Sequence, residues 1–163
     1  MQNRIEAWQA FLSKPENHWQ TLIAGQPSKN SNCGIVYELE NFLQDPNEGF
    51  AIVDMCSLVS FEPHYHMHDE TEIYIVLQGS ACVVVGNEER QVSVGDVMAT
   101  PANTAHYVIP DNQFVIAVIN TPPFDPKKYV RLTQTDTSVS FDYEQFVRLV
   151  GTRSGIPCKE HNG

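Results

Sequence analysis

From residue 33 to residue 120 the chain repeats one pattern: a short apolar, β-branched run, then a few turn-forming residues. The runs are "CGIVYELE", "FAIVDMCSLVSF", "ETEIYIVLQG", "ACVVVG", "RQVSV", "DVMATP", "TAHYVI" and "QFVIAVIN". Within them the period is two, as in strands. Glu72, Tyr74 and Val76 fall on one face and Ile73, Ile75 and Leu77 on the other; likewise Thr104, His106 and Val108 oppose Tyr107 and Ile109. Eight such strands in one domain predict an all-β sandwich or barrel whose interior carries ligand-type side chains. Its apolar outer face then needs cover from a flanking helix, a second sheet or another subunit.

At both ends the period changes to that of a helix. Ile5, Trp8, Phe11 and Leu12 keep helical spacing until Pro15 ends or kinks the run. Tyr143, Phe146, Val147 and Val150 repeat it, with Asp142 placed to cap the helix and Gly151 to end it. The expected organisation is a helical flank over residues 1–32, a barrel over 33–121 and an extension over 122–163 with one helix and a loose tail, "TRSGIPCKEHNG". The proline-rich stretch "NTPPFDPKKYV" at 120–130 reads as a structural connector, with a rigid lid over one barrel end as the alternative.

Charge narrows the function. A net charge of -10 argues against nucleic acid and anionic membranes as partners, since either needs a basic patch. No run approaches the roughly 18 apolar residues of a membrane span, and "MQNRIEAWQAF" lacks a secretory pattern. Cys33, Cys56, Cys82 and Cys158 are scattered without a Cys-x-x-Cys pair, as reduced thiols are. A cytoplasmic protein is the expectation. Cys56 and Met55, just before the histidines, read as packing.

Candidate chemistry gathers in "FEPHYHMHDETEIYIVLQG", residues 61–79. In a strand, alternation puts His64, His66 and His68 on one face and eliminates none of them. His66, His68 and Glu72 form an H-x-H-x3-E unit in which two imidazoles and a returning carboxylate reach one ion. That donor set suits a divalent first-row metal. An isolated H-x-H is also common as ordinary solvated surface.

A second element, "GDVMATPANTAH", brings Gly95, Pro101 and His106. Together the two stretches resemble the cupin family, whose motifs read G-x5-H-x-H-x3,4-E-x6-G and G-x5-P-x-G-x2-H-x3-N. His66, His68, Glu72 and Gly79 match the first motif, and Gly95, Pro101 and His106 the second. Ser60, Asn103 and Pro110 depart from it, none at a ligand position; Asn103 still tolerates a left-handed turn. The resemblance covers roughly residues 50–120 and implies a double-stranded β-helix, the cupin jelly-roll barrel. It also implies metal ligands at His66, His68, Glu72 and His106, with Fe, Mn, Ni or Zn as the ion.

On this reading His64 lies one step beyond the ion, as a substrate-facing catalytic group or a polar residue at the barrel mouth. Tyr74 shares Glu72's face, as a catalytic hydroxyl or an interior aromatic. The expected function is a metal-dependent enzyme on a small oxygen-bearing organic molecule, by dioxygenase-type or isomerase/lyase-type chemistry. The competing class is a non-catalytic small-molecule or metal-binding module, because no second carboxylate or lysine stands out beside the cluster. Between residues 51 and 120 the only basic residue is Arg90, so a neutral or singly anionic ligand is expected. The apolar outer faces favour a homodimer.

Overall fold

The period-two runs become strands, together with short ones that the pattern did not announce. The structure is a computed structural model that describes residues 1–32, 34–55 and 61–153, the side chains of Phe61 and Arg153 excepted. Its strands are β1 (Lys29–Ser31), β2 (Gly34–Glu38), β3 (Gly49–Asp54), β4 (Phe61–His66), β5 (Thr71–Gln78), β6 (Ser80–Val85), β7 (Glu88–Ser93), β8 (Val97–Thr100), β9 (His106–Pro110), β10 (Val115–Thr121) and β11 (Tyr129–Arg131). They form two antiparallel sheets, ordered β1-β2-β3-β10-β5-β8 and β11-β4-β9-β6-β7. This is the jelly-roll barrel that the strand pattern and the motif resemblance both implied.

Parity held along the strands. Tyr74, Val76 and Val108 point between the sheets, where they pack with Met55, Met98 and Phe114. Ile73 and Ile75 point outward, as do Tyr107 and Ile109. Gly79, at the tight turn from β5 to β6, has φ +78, and a Cβ there would lie 2.0 Å from the Gln113 carbonyl oxygen. Only glycine fits that approach.

Both outer faces are covered from within the chain. Helices α1 (Gln2–Leu12) and α2 (Trp19–Ile23) lay Trp8, Trp19 and Leu22 over Phe50, Ile52, Ile73 and Ile119. Helix α3 (Tyr143–Arg153) sets Phe146 and Leu149 against Val84, Tyr107 and Ile109. Of the covers the pattern called for, the terminal helices supply one on each face. Asp142 caps α3, its carboxylate accepting from the Gln145 amide at 2.9 Å.

Several boundaries differ from the expected ones. β1 already belongs to the first sheet, and β11 pairs with β4, so the barrel overruns 33–121 at both ends. Gly151 lies inside α3 rather than ending it. Short α2 follows a 3-10 turn at Pro15–Asn17 and was not anticipated. Cys33, Cys56, Ser60, Cys158 and the tail from residue 154 lie outside the described residues.

Trp8 anchors the flank. It is 1% exposed, lies with its ring 4.4 Å from that of Phe50 and tilted by 42°, and donates its indole N–H to Glu48 Oε2 at 2.8 Å. Arg4 pairs with the same carboxylate and donates to the Thr121 hydroxyl. Trp8→Ala is expected to cost about 3–5 kcal/mol, because it leaves a large cavity and strips a buried carboxylate of a donor. Urea denaturation measures this; a loss below about 1 kcal/mol, ordinary for a lightly packed surface site, would mean that α1 docks only loosely.

Candidate metal centre

Near one end of the barrel the two sheets bring polar side chains together in an otherwise apolar interior. β4 contributes His64 and His66, β9 contributes His106, and β5 contributes Glu72. His64 and His106 are register partners across the β4–β9 pair. One ligand atom from each of the four residues lies within 4.8 Å of the others, and all four residues are buried. Because side chains alternate, Glu62, His64 and His66 share the inward face of β4.

The ring orientations follow from what each δ nitrogen meets. His64 Nδ1 lies 2.7 Å from the Glu62 carbonyl oxygen, and His106 Nδ1 lies 2.9 Å from that of Thr104. A carbonyl only accepts, so both rings carry a proton on Nδ1, and Nε2 is the atom each has to offer a ligand. His66 Nδ1 is 2.7 Å from Glu70 Oε1 and its Nε2 is 3.2 Å from Glu72 Oε2. Neither nitrogen is aligned for a hydrogen bond, although the ring is buried, so its contacts are foremost charge contacts. Glu72 Oε2 is the meeting point: His106 Nε2 stands 3.0 Å from it, and the Tyr74 hydroxyl donates to it at 2.7 Å.

Charge at the centre follows. Burial is the largest influence on Glu72 and disfavours its anion, but the close contacts and charge of His106 and His66 overcome it and hold the carboxyl well below its usual range. Burial, reinforced by neighbouring His106, pushes His64 well below an ordinary imidazole. For His66 burial again acts first and downward, yet the carboxylates of Glu70 and Glu72 outweigh it and push the ring up to about 9.

Three imidazoles and one carboxylate, all buried and with a ligand atom of each within 4.8 Å of the others, are a donor set for a divalent first-row metal. His66, a buried ring without an aligned partner, fits such an ion better than it fits a closed hydrogen-bond network. The residues present therefore fit a metal.

His68 is corrected by this geometry, and so is His64. β4 ends at His66, and His68 sits beyond it in a left-handed turn with φ 65. Strand alternation stops there, so His68 is exposed, while His64 takes a place among the four. The turn is held by Asn103, itself left-handed at φ 58, whose N–H donates to the His66 carbonyl at 2.7 Å and whose amide donates to that of His68 at 3.2 Å. Tyr74 is fully buried and its hydroxyl serves Glu72.

Two residues escaped the sequence reading. Glu70, fully buried, is the second carboxylate that had not stood out. Its signal was present: His64-x-His66-x3-Glu70 has the same spacing as the unit one step further on, and only the distance from Glu72 to Gly79 favoured the latter. Asn120 lies opposite Glu72 in the β5–β10 register and donates to Glu72 Oε1 at 2.9 Å and Glu70 Oε1 at 3.2 Å.

The connector covers this end of the barrel. Phe124 stands edge-on to His66 at 5.8 Å, and Tyr129 stacks on His64 at 4.5 Å. Of the basic residues in and just after it, Lys128 pairs with Asp69 at 3.0 Å and Arg131 with Glu62 at 2.7 Å, while Lys127 is exposed. A separate depression on the surface, lined by Asn87, Ser140, Phe141 and Glu144 among others, is not lined by any of the four clustered residues.

Comparison with known proteins agrees with this architecture. Residues 57–118 match the family model of the Cupin domain. A stretch of 57 residues is 37% identical to the uncharacterized protein SCO3923 of Streptomyces coelicolor; the match covers 34% of this chain and 54% of that one, so the chain spans about half the length of this relative. Among solved structures, Pac13 from Streptomyces, described as a unique nucleoside dehydratase, is similar with a TM-score of 0.56 at 14% identity, over 68% of this chain and 87% of that one. KdgF from Halomonas sp. gives 0.54 at 19%, over 64% and 93%. A putative sugar phosphate isomerase from Acidithiobacillus ferrooxidans gives 0.51 at 19%, over 63% and 72%. At these identities the likeness is one of fold. No helix among the described residues is long and apolar enough to cross a membrane.

Proposed function

We propose that this chain, whose residues 57–118 match the Cupin domain and whose fold is that of cupins, is a metal-dependent enzyme acting on a small oxygen-bearing organic molecule. His64, His66, His106 and Glu72 would hold the ion. One observation carries this reading: His66 and His106 bring Nε2 to within 3.2 and 3.0 Å of a single Glu72 oxygen, and a ligand atom of buried His64 lies within 4.8 Å of theirs. When bound, a metal with an open coordination position supplies Lewis-acid or redox activation of a substrate oxygen.

The surrounding residues define what such a substrate meets. Tyr74 and Asn120 each fix one oxygen of Glu72, so its orientation is set before any ligand arrives. Phe124, 44% exposed, and Tyr129 form an aromatic wall that limits water. Arg131, the nearby guanidinium, is paired to Glu62 and Lys128 to Asp69, so Lys127 remains as a point cation and not as the fork that grips a phosphate. The substrate class we favour is therefore neutral or singly anionic, coordinating through one or two oxygens. Isomerase/lyase-type and dioxygenase-type chemistry both fit these donors, and the ion decides between them.

Elemental analysis of natively purified protein is the direct test, and about one divalent transition metal per chain is expected. No metal at all, with none taken up on titration, would sink the centre. Calorimetry on the loaded protein should show enediol or phenolic compounds binding more tightly than sugar phosphates. Micromolar binding of a sugar phosphate with weaker binding of the others would overturn the substrate class.

A module that binds without turnover is the second reading. It is favoured by the burial of the centre and by the commitment of the Tyr74 hydroxyl to Glu72, which leaves that hydroxyl no free role as an acid or base. Oxygen uptake and product formation on the same compounds separate the two.

A further inference from the structure

Glu70 has no role in the ligand set, yet it is buried more completely than any of the ligands. A carboxylate taken out of water is costly unless positive charge or hydrogen-bond donors surround it. Its contacts are His66 Nδ1 at 2.7 Å and Asn120 Nδ2 at 3.2 Å on Oε1, and the Asp125 N–H at 3.3 Å on Oε2. The neighbouring Lys128 is engaged with Asp69. The side chain follows His66 by four residues, on the far side of the left-handed turn at His68, and is directed back at the same imidazole.

From this placement, and resting on the metal reading above, we propose that Glu70 is the positioning residue of the centre. It fixes the His66 ring from its δ side and supplies the second negative charge that balances a dication. Glu72 alone gives the buried donor set one negative charge; with Glu70 the pocket holds two, matching a divalent ion in a region where net charge is expensive. Asn120 makes the pair tolerable, since one amide donates to both carboxylates. A carboxylate behind a ligating imidazole also increases its donor strength, and loss of such partners typically lowers metal affinity by about 10–100-fold. By the same charge argument, the pocket selects a dication over a monovalent ion.

The test uses the full chain and the bare metals Zn2+ and Co2+. Glu70→Gln keeps the size and an acceptor oxygen but removes the charge; Glu70→Ala removes both. Zinc affinity, measured by competition with a chelator, is expected to fall about 10-fold in Glu70→Gln and about 100-fold in Glu70→Ala. The visible absorption of the cobalt-loaded protein should shift in both, because the field from His66 changes; a merely structural role would leave that spectrum alone. Should Glu70→Ala fail to fold, Glu70→Gln decides by itself. Wild-type affinity together with an unchanged cobalt spectrum in Glu70→Gln would overturn the role of Glu70 while leaving the metal centre standing. A wild-type chain that binds neither metal would instead sink the reading on which it rests.

Discussion

His64→Ala is expected to lower affinity for a divalent metal by more than about 100-fold, since residues that only support ligands already cost about 10–100-fold. His66→Ala, His106→Ala and Glu72→Ala should behave alike. His68→Ala should stay within about twofold of wild type, the ordinary range of surface substitutions. The contrast is sharp because the two histidines differ in kind. His64 is 1% exposed, pairs in register with His106 and has its Nδ1 fixed by the Glu62 carbonyl. His68 is exposed on a left-handed turn. Metal content after gel filtration, read by elemental analysis, measures both. If His68→Ala empties the protein as thoroughly as His66→Ala does, the four-residue assignment is wrong.

That reversal shows where a linear pattern stops being informative. Alternation placed Tyr74 and Val76 inside and Ile73 and Ile75 outside, because β5 is one uninterrupted strand of eight residues. His106 and Glu72 were legible for the same reason. The histidine stretch instead contains a strand end. Motif spacing counts residues but does not say which of them the turn consumes, and here the turn falls between His66 and Glu72, with left-handed His68 in it. The stretch "DET" at 69–71 does announce a turn through Asp69, but not that the turn begins as early as His68. Glu70 was hidden more deeply: its burial depends on Asn120, fifty residues away, and on the backbone of Asp125. β11 escaped because three residues bounded by "FDPKK" carry too little periodicity to announce a strand.

Metal uptake should depend steeply on pH. Without metal, His66 holds its proton up to about 9 between two carboxylates, whereas a ligand must give that proton up. Below about 9, affinity should therefore rise about tenfold per pH unit, about 100-fold between pH 7 and 9, with roughly one proton released per ion at neutral pH. Stability of the metal-free chain follows from the same groups. His66 titrates above its ordinary 6.5, so its contribution is complete below 6.5 and is lost as pH rises through about 9. His64 is held well below 6.5, so under that pH the unfolded chain binds a proton that the folded one refuses, and stability falls. Glu72, held well below its ordinary 4.5, contributes above that value, and its share is lost as pH falls through its depressed folded value. The sum is a maximum near pH 6.5 for the metal-free chain. The loaded chain has no proton on His66 to lose, so its advantage in melting temperature should widen from pH 6.5 to 9. Melts with zinc and with a chelator across that range measure the difference, and a gap that stays constant would show that His66 is not the proton-bearing ligand.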